Sequence, residues 1–101
     1  MTDRVIETVL FRAAPGADPE AFAQAAAATH GYVARCDGFI SRCLSQTADG
    51  TWVDHVEWAD LASVQAATAG FLKAPETAAL LGLIDQSSLQ MMHSTPAVLA
   101  A

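Results

Sequence analysis

The order of its segments is what most restricts the folds open to this chain. A strand-like run, Arg4–Ala13, precedes a helix-like run, Asp18–Cys36. Two more strand-like runs follow, Gly38–Gln46 and Thr51–Trp58, then a helix-like run, Asp60–Lys73, and a last strand-like run, Ser87–Ser94. The order β-α-β-β-α-β within 101 residues predicts a split βαβ unit. Such a unit is an α+β, ferredoxin-like domain whose four-stranded antiparallel sheet carries both helices on one face. The length fits one domain over residues 1–101. Segment order carries no chemistry by itself, because this fold hosts many unrelated functions.

The first strand sets Val5, Glu7, Val9 and Phe11 against Ile6, Thr8, Leu10 and Arg12. The third sets Trp52, Asp54, Val56 and Trp58 against Val53, His55 and Glu57. A sheet with one wet face alternates apolar and polar residues. Here both faces are largely apolar. One must meet the helices, and the other needs a cover that a single copy lacks. A second copy of the same sheet is the simplest cover, so a two-fold homodimer packed sheet against sheet is expected.

Punctuation between the runs agrees with the order. Asp18 and Asp60 are placed as helix N-caps, with Pro19 at the first helical position. Phe22, Ala26, Thr29, Val33 and Cys36 make one helical stripe; Leu61, Val64, Thr68, Phe71 and Leu72 make another. Asp37-Gly38 ends the first helix, and Ala48-Asp49-Gly50 reads as a hairpin turn. Pro75 breaks the second helix and opens a short helical turn, Glu76–Leu83, which offers Leu80, Leu81 and Ile84 for burial.

Charge and composition exclude several classes. The net charge of −6 opposes binding to nucleic-acid phosphates and anionic membranes. The third strand carries Asp54 and Glu57 where an RNA-recognition sheet needs basic and aromatic residues, so no nucleic-acid partner is expected. No run of eighteen apolar residues exists to span a bilayer. Met1–Leu10 holds Asp3, Arg4 and Glu7 and does not read as a secretory leader, so the expected location is cytoplasmic. Cys36 and Cys43 lack metal or redox spacing and read as free thiols. Gly-rich phosphate loops, GxSxG and HExxH are absent, and no metal or other cofactor is expected.

From Val5 to about Val98 the chain resembles the dimeric α/β-barrel superfamily, and within it the antibiotic-biosynthesis-monooxygenase-like proteins. The resemblance rests on the segment order, on Val56-Glu57-Trp58 leading into the second helix, and on the break at Phe71-Leu72-Lys73-Ala74-Pro75. It implies a ligand cleft between sheet and helices, and two sheets closing into a dimeric α/β barrel. Proteins of this kind include cofactor-free oxygenases of polycyclic quinols, haem-degrading oxygenases and aldol-type polyketide cyclases. Trp58 matches a tryptophan shared by the two oxygenase types at the end of strand three. Two departures stand beside that match. Both types also use an asparagine near the first strand, and this chain contains none. The haem-degrading type takes its iron ligand from a histidine in or after the second helix, and no histidine lies between Ala59 and Met92.

The candidate chemistry is proton transfer. His55 in strand three and His93 in strand four have side chains that titrate near neutrality. Strand one lies between strands three and four in this fold, so Glu7, His55 and His93 are a candidate catalytic set if they share a face. A carboxylate beside an imidazole raises its pKa and fixes its tautomer. The competing reading makes Glu7 an interface or edge charge, His55 a lining residue and His93 a strand end. Trp58, Tyr32, Phe71 and Met91 are the candidate walls for a small aromatic or hydrophobic ligand. His30 falls off the buried stripe, and Glu57 reads as an edge or interface charge. Arg12 and Arg42 hold either an anionic group or a neighbouring acid. The expected function is a cofactor-independent monooxygenase acting on a small aromatic or polycyclic phenol or quinol. The alternatives are a non-catalytic ligand-binding or stress-type dimer, and a cyclase or lyase using histidine acid-base chemistry.

Overall fold

The computed structural model describes residues 3–100. The ends of the expected 1–101 domain, Met1, Thr2 and Ala101, lie outside the described residues. The strands are β1 (Val5–Phe11), β2 (Phe39–Gln46), β3 (Trp52–Trp58) and β4 (Gln90–Ser94). The helices are α1 (Pro19–Ala28), α2 (His30–Val33), α3 (Leu61–Phe71) and α4 (Ala78–Leu83). Single 3-10 turns precede α4 at Pro75–Thr77 and β4 at Gln86–Ser88. The four strands form one antiparallel sheet in the order β2-β3-β1-β4. This is the ferredoxin-like α+β arrangement.

The helices begin where the caps predict. Asp18 accepts a hydrogen bond from the Ala21 N–H at 3.0 Å, and Asp60 accepts one from the Ser63 N–H at 2.8 Å. Each satisfies a donor that has no partner within its helix. The expected helix over Asp18–Cys36 is divided at Thr29, whose N–H turns to the Ala26 carbonyl and whose hydroxyl donates to the same oxygen at 2.6 Å. Gly38 ends this segment with φ +83°, and a Cβ there would lie 2.1 Å from Ser63 Oγ. Ala74 is extended (ψ 140°) ahead of Pro75, as a residue before proline should be, and α3 stops there. Thr77 closes that end by donating its hydroxyl to the carbonyls of Phe71 and Ala74.

Side chains from one sheet face meet the helices in two apolar clusters. Val5, Val56 and Trp58 pack with Val33, Val64 and Ala67. Phe11 packs with Phe22, Ala25, Ala26 and Leu80, with Trp52 against them. Phe71 touches both clusters. Two residues of the expected α3 stripe do not join. Leu61 is exposed, and Leu72 is 68% exposed at the helix end. Ala67 is buried instead, because α3 lies close to the sheet and a small residue suits that approach. The opposite sheet face carries Ile6, Thr8, Leu10, Val53, His55 and Met92, and among the described residues no element covers it.

Tyr32 ties α2 to α3 by donating its hydroxyl to the Ala67 carbonyl at 2.7 Å. It passes over Gly70, where a Cβ would lie 2.2 Å from the hydroxyl oxygen. Alanine there gains about 1 kcal/mol of helix propensity. The collision outweighs that gain, since overpacking costs about 1–3 kcal/mol. We expect Gly70→Ala to lower stability in urea unfolding. In a Tyr32→Phe background the added cost should shrink, since hydroxyl and clash go together. A stabilised Gly70→Ala would show that Tyr32 is not held over this glycine.

Candidate functional site

The two apolar clusters do not close completely on each other. Between them lies a cavity of about 140 Å³, walled by the sheet on one side and by α2, α3 and the α4 segment on the other. Strand register decides what faces it. β1 opposes β3 with Val5 opposite Trp58, Glu7 opposite Val56 and Val9 opposite Asp54. β4 places His93 opposite Glu7 and Met91 opposite Val9. Since alternate residues share a face, Glu7, Asp54, Trp58, Met91 and His93 all stand on the helix side.

Glu7 is the polar centre of the cleft. It is only 9% exposed. Its carboxyl accepts hydrogen bonds from the Trp58 indole N–H at 3.3 Å and from the Thr68 hydroxyl at 3.4 Å. His93 Nε2 lies 4.0 Å from Glu7 Oε2. Burial pushes the Glu7 pKa above the usual carboxylate value, and the charge of Asp54 adds to that rise. The two hydrogen bonds and His93 act in the opposite sense and only partly offset it. Trp58 is fully buried, with Phe39 edge-on to its ring at 6.1 Å.

The other expected wall residues are also here. Tyr32, Phe71 and Met91 line the cleft, and Tyr32 meets Phe71 edge-on at 5.9 Å. Burial, followed by the nearby Cys36, raises the Tyr32 pKa to about 12, so its hydroxyl remains a neutral donor. Among the described residues, no group of three or more His, Cys, Asp or Glu side chains could hold a metal ion. No helix among them is long and apolar enough to cross a membrane.

One member of the expected catalytic set stands apart. His55 is opposite Thr8 on one side and Cys43 on the other, so it belongs to the uncovered sheet face and is exposed. It cannot meet Glu7 or His93 within one chain, because one step along a strand reverses the side chain. The remaining charged candidates are paired. Glu57 accepts from Arg4 at 2.7 Å. Arg12 braces the β2–β3 hairpin by donating to the Asp49 carbonyl and the Thr51 hydroxyl. His30 is exposed and lies edge-on to Phe39.

Two participants were not among the candidates, Thr68 and Asp54; Arg42, expected to hold an anionic group or a neighbouring acid, holds the acid. Thr68 lies on the expected α3 stripe, but only the docking of α3 reveals its reach to Glu7. Arg42 forks onto Asp54 with Nε to Oδ1 at 2.9 Å and NH2 to Oδ2 at 2.7 Å, and NH2 also donates to Thr29 Oγ1 at 2.9 Å. The clue available beforehand was Asp54 itself, an acid on a strand face otherwise made of Trp52, Val56 and Trp58.

The fold and cleft define a class: small ferredoxin-like domains that hold one apolar cavity between sheet and helices, with a buried carboxyl in its wall. Solved structures, several of them named as antibiotic biosynthesis monooxygenases, share the fold over nearly the whole chain. One is SnoaB, a cofactor-independent oxygenase from Streptomyces nogalater, with 25% identity over 97% of each chain and a TM-score of 0.79. Rv0793 from Mycobacterium tuberculosis matches with 18% identity over 97% of this chain and 99% of its own, at a TM-score of 0.71. A protein from Chloroflexus aurantiacus, provisionally named an antibiotic biosynthesis monooxygenase, matches with 17% identity over 97% of each chain, also at 0.71. No protein-family model matches the sequence, and no curated protein matches it.

The raised Glu7 pKa has a stability consequence with a definite sign. Between the unfolded value near 4.5 and the higher folded value, the folded state binds more protons than the unfolded chain. Ionised Glu7 therefore costs stability above that window, and the cost disappears as pH falls below it. Glu7→Gln mimics the protonated form. Melting curves of the two proteins should diverge in favour of the variant as pH rises through the window and run parallel below it. A difference that does not change with pH would contradict this assignment of the proton.

Proposed function

We propose that the cleft binds a small aromatic phenol or quinol and that Glu7, with His93 beside it, accepts a proton from it. The resulting anion, electron-rich at a ring carbon, gives its electrons to dioxygen; that carbon bonds one oxygen as a hydroperoxide, which loses water to leave a carbonyl, so the substrate supplies all the electrons. The observation that carries this reading is the placement of Glu7: a buried carboxyl with a raised pKa in the wall of an otherwise apolar cavity. A carboxyl moved towards neutrality is a better matched general base than one left in water. The neutral Tyr32 hydroxyl, Phe71 and Met91 supply walls against which a ring can pack. The similarity to SnoaB supports the same reaction class.

Size narrows the ligand. A cavity of about 140 Å³ is close to the roughly 150 Å³ apolar cavity known to take up benzene. One ring fits inside, and further rings of a polycyclic substrate would extend past Leu72, Leu81 and Gln86 on the wall. Oxygen uptake with single-ring and fused-ring hydroquinones tests the proposal. Glu7→Gln should lower kcat/KM by about a hundredfold or more, the usual weight of a general base. His55→Ala should leave it unchanged. Binding at one equivalent without oxygen uptake would favour the non-catalytic reading, which the absence of asparagine motivates. Turnover without oxygen would favour a cyclase or lyase.

We also infer that a second copy covers the outer sheet face, where Ile6, Leu10, Val53 and Met92 would otherwise meet water. His55 would then lie in the interface. Sedimentation should give a dimer, and Leu10→Asp should shift it to monomer. A monomeric parent protein would rule the barrel out.

A further inference from the structure

Arg42 and Asp54 form a buried ion pair that the proposed reaction does not use. Their side chains are 4% and 14% exposed, and the fork is completed by Thr29. The pair has a direction across the sheet. Asp54 is on β3, next to β1, and stands on the same face as Glu7, one diagonal step away. Arg42 is on β2, a strand further out. Asp54 lines the cavity and Arg42 does not. The pair is thus a fixed dipole that shows the cleft its negative end.

We propose that Asp54, clamped by Arg42, is a positioning residue for the cleft base: its anchored charge sets the pH range in which Glu7 gives up its proton. The inference deepens the proton-transfer reading above and rests on it for its use in turnover. A lone carboxylate at position 54 would not serve, because two buried acids can share one proton and the cleft would lose a defined base. The fork from Arg42 prevents that by engaging both of its oxygens. Asp54 then disfavours a second negative charge at Glu7.

The groups facing Glu7 make the effect separable. β4 contributes His93, β3 contributes Asp54 and the Trp58 N–H, α3 contributes Thr68, and α2 contributes Tyr32 with its hydroxyl committed to Ala67. His93 lowers the proton affinity of Glu7 and Asp54 raises it. Removing either should move the midpoint in opposite directions.

The indole N–H of Trp58 donates to Glu7, so its NMR signal follows Glu7 ionisation in the free protein. Trp52→Phe identifies the signal, and no substrate is required. The midpoint should fall in Asp54→Asn and rise in His93→Gln. Asp54→Asn leaves a buried arginine unpaired and threatens the fold. Asp54→Asn/Arg42→Met removes both charges, and there too the midpoint should fall. An unchanged or higher midpoint in the double variant would overturn the proposal, whatever the oxygen assays show. A lower midpoint would sustain it even if the true reaction is not an oxygenation. A purely structural ion pair would change the melting temperature and leave the midpoint in place.

Discussion

The pairing of β1 with β3 is the constraint on which the cleft depends. Val5 opposite Trp58 and Val9 opposite Asp54 place one set of alternate side chains under the helices and the other set outside. A slip by one residue would send Glu7 outward, bring Thr8 in, and separate the indole N–H from the carboxyl it reaches. Both core clusters hold the register in place. Trp58 and Val5 anchor one end of β1, and Phe11 with Trp52 anchors the other. Burying those aromatic rings is what makes a buried carboxyl between them tolerable.

The polar residues of the helix-side face are arranged so that nearly every buried charge has a partner. Glu7 takes two hydrogen bonds and has His93 close by, while Asp54 is met on both oxygens by Arg42. Outside the cleft, the short contact between Arg35 and Glu76 links the turn after α2 to the turn that precedes α4. The α4 segment is held from its other end by Ala14 N–H to the Leu83 carbonyl and Asp85 N–H to the Arg12 carbonyl, each 2.8 Å. These bonds fix the wall that carries Leu80, Leu81 and Ile84.

Much of the architecture was legible in the residues. Asp18, Asp60, Gly38 and Pro75 each act locally, through a cap, a positive φ or a steric restriction, so their effects depend little on the rest of the fold. β1 and β4 are shorter than their sequence runs suggest because strand ends depend on what pairs with them, and Ser87 and Ser88 instead enter a 3-10 turn capped by Asp85. Trp58, Tyr32, Phe71, Met91 and Glu7 were legible as a wall and a polar group. His55 was not legible as an outward residue. Its phase is set by pairing with both Thr8 and Cys43, which are distant in sequence. Arg42 was legible as a partner for an acid but not for which one, because the bulge between Phe39 and Ser41 shifts the phase of β2 before its fork reaches Asp54.

The cavity between the two clusters has an energetic side. Side chains around a void lack partner atoms for dispersion contacts. The cleft of about 140 Å³ opens past exposed Leu72, so its apolar wall forgoes such contacts without being a sealed void. The fold therefore holds a shape that its own side chains could partly fill by collapsing. Any apolar ring that enters restores the missing dispersion contacts, so recognition and folding stability draw on the same atoms. Occupancy should register as resistance to heat before any chemistry is known, which makes the melting transition a detector for the natural ligand.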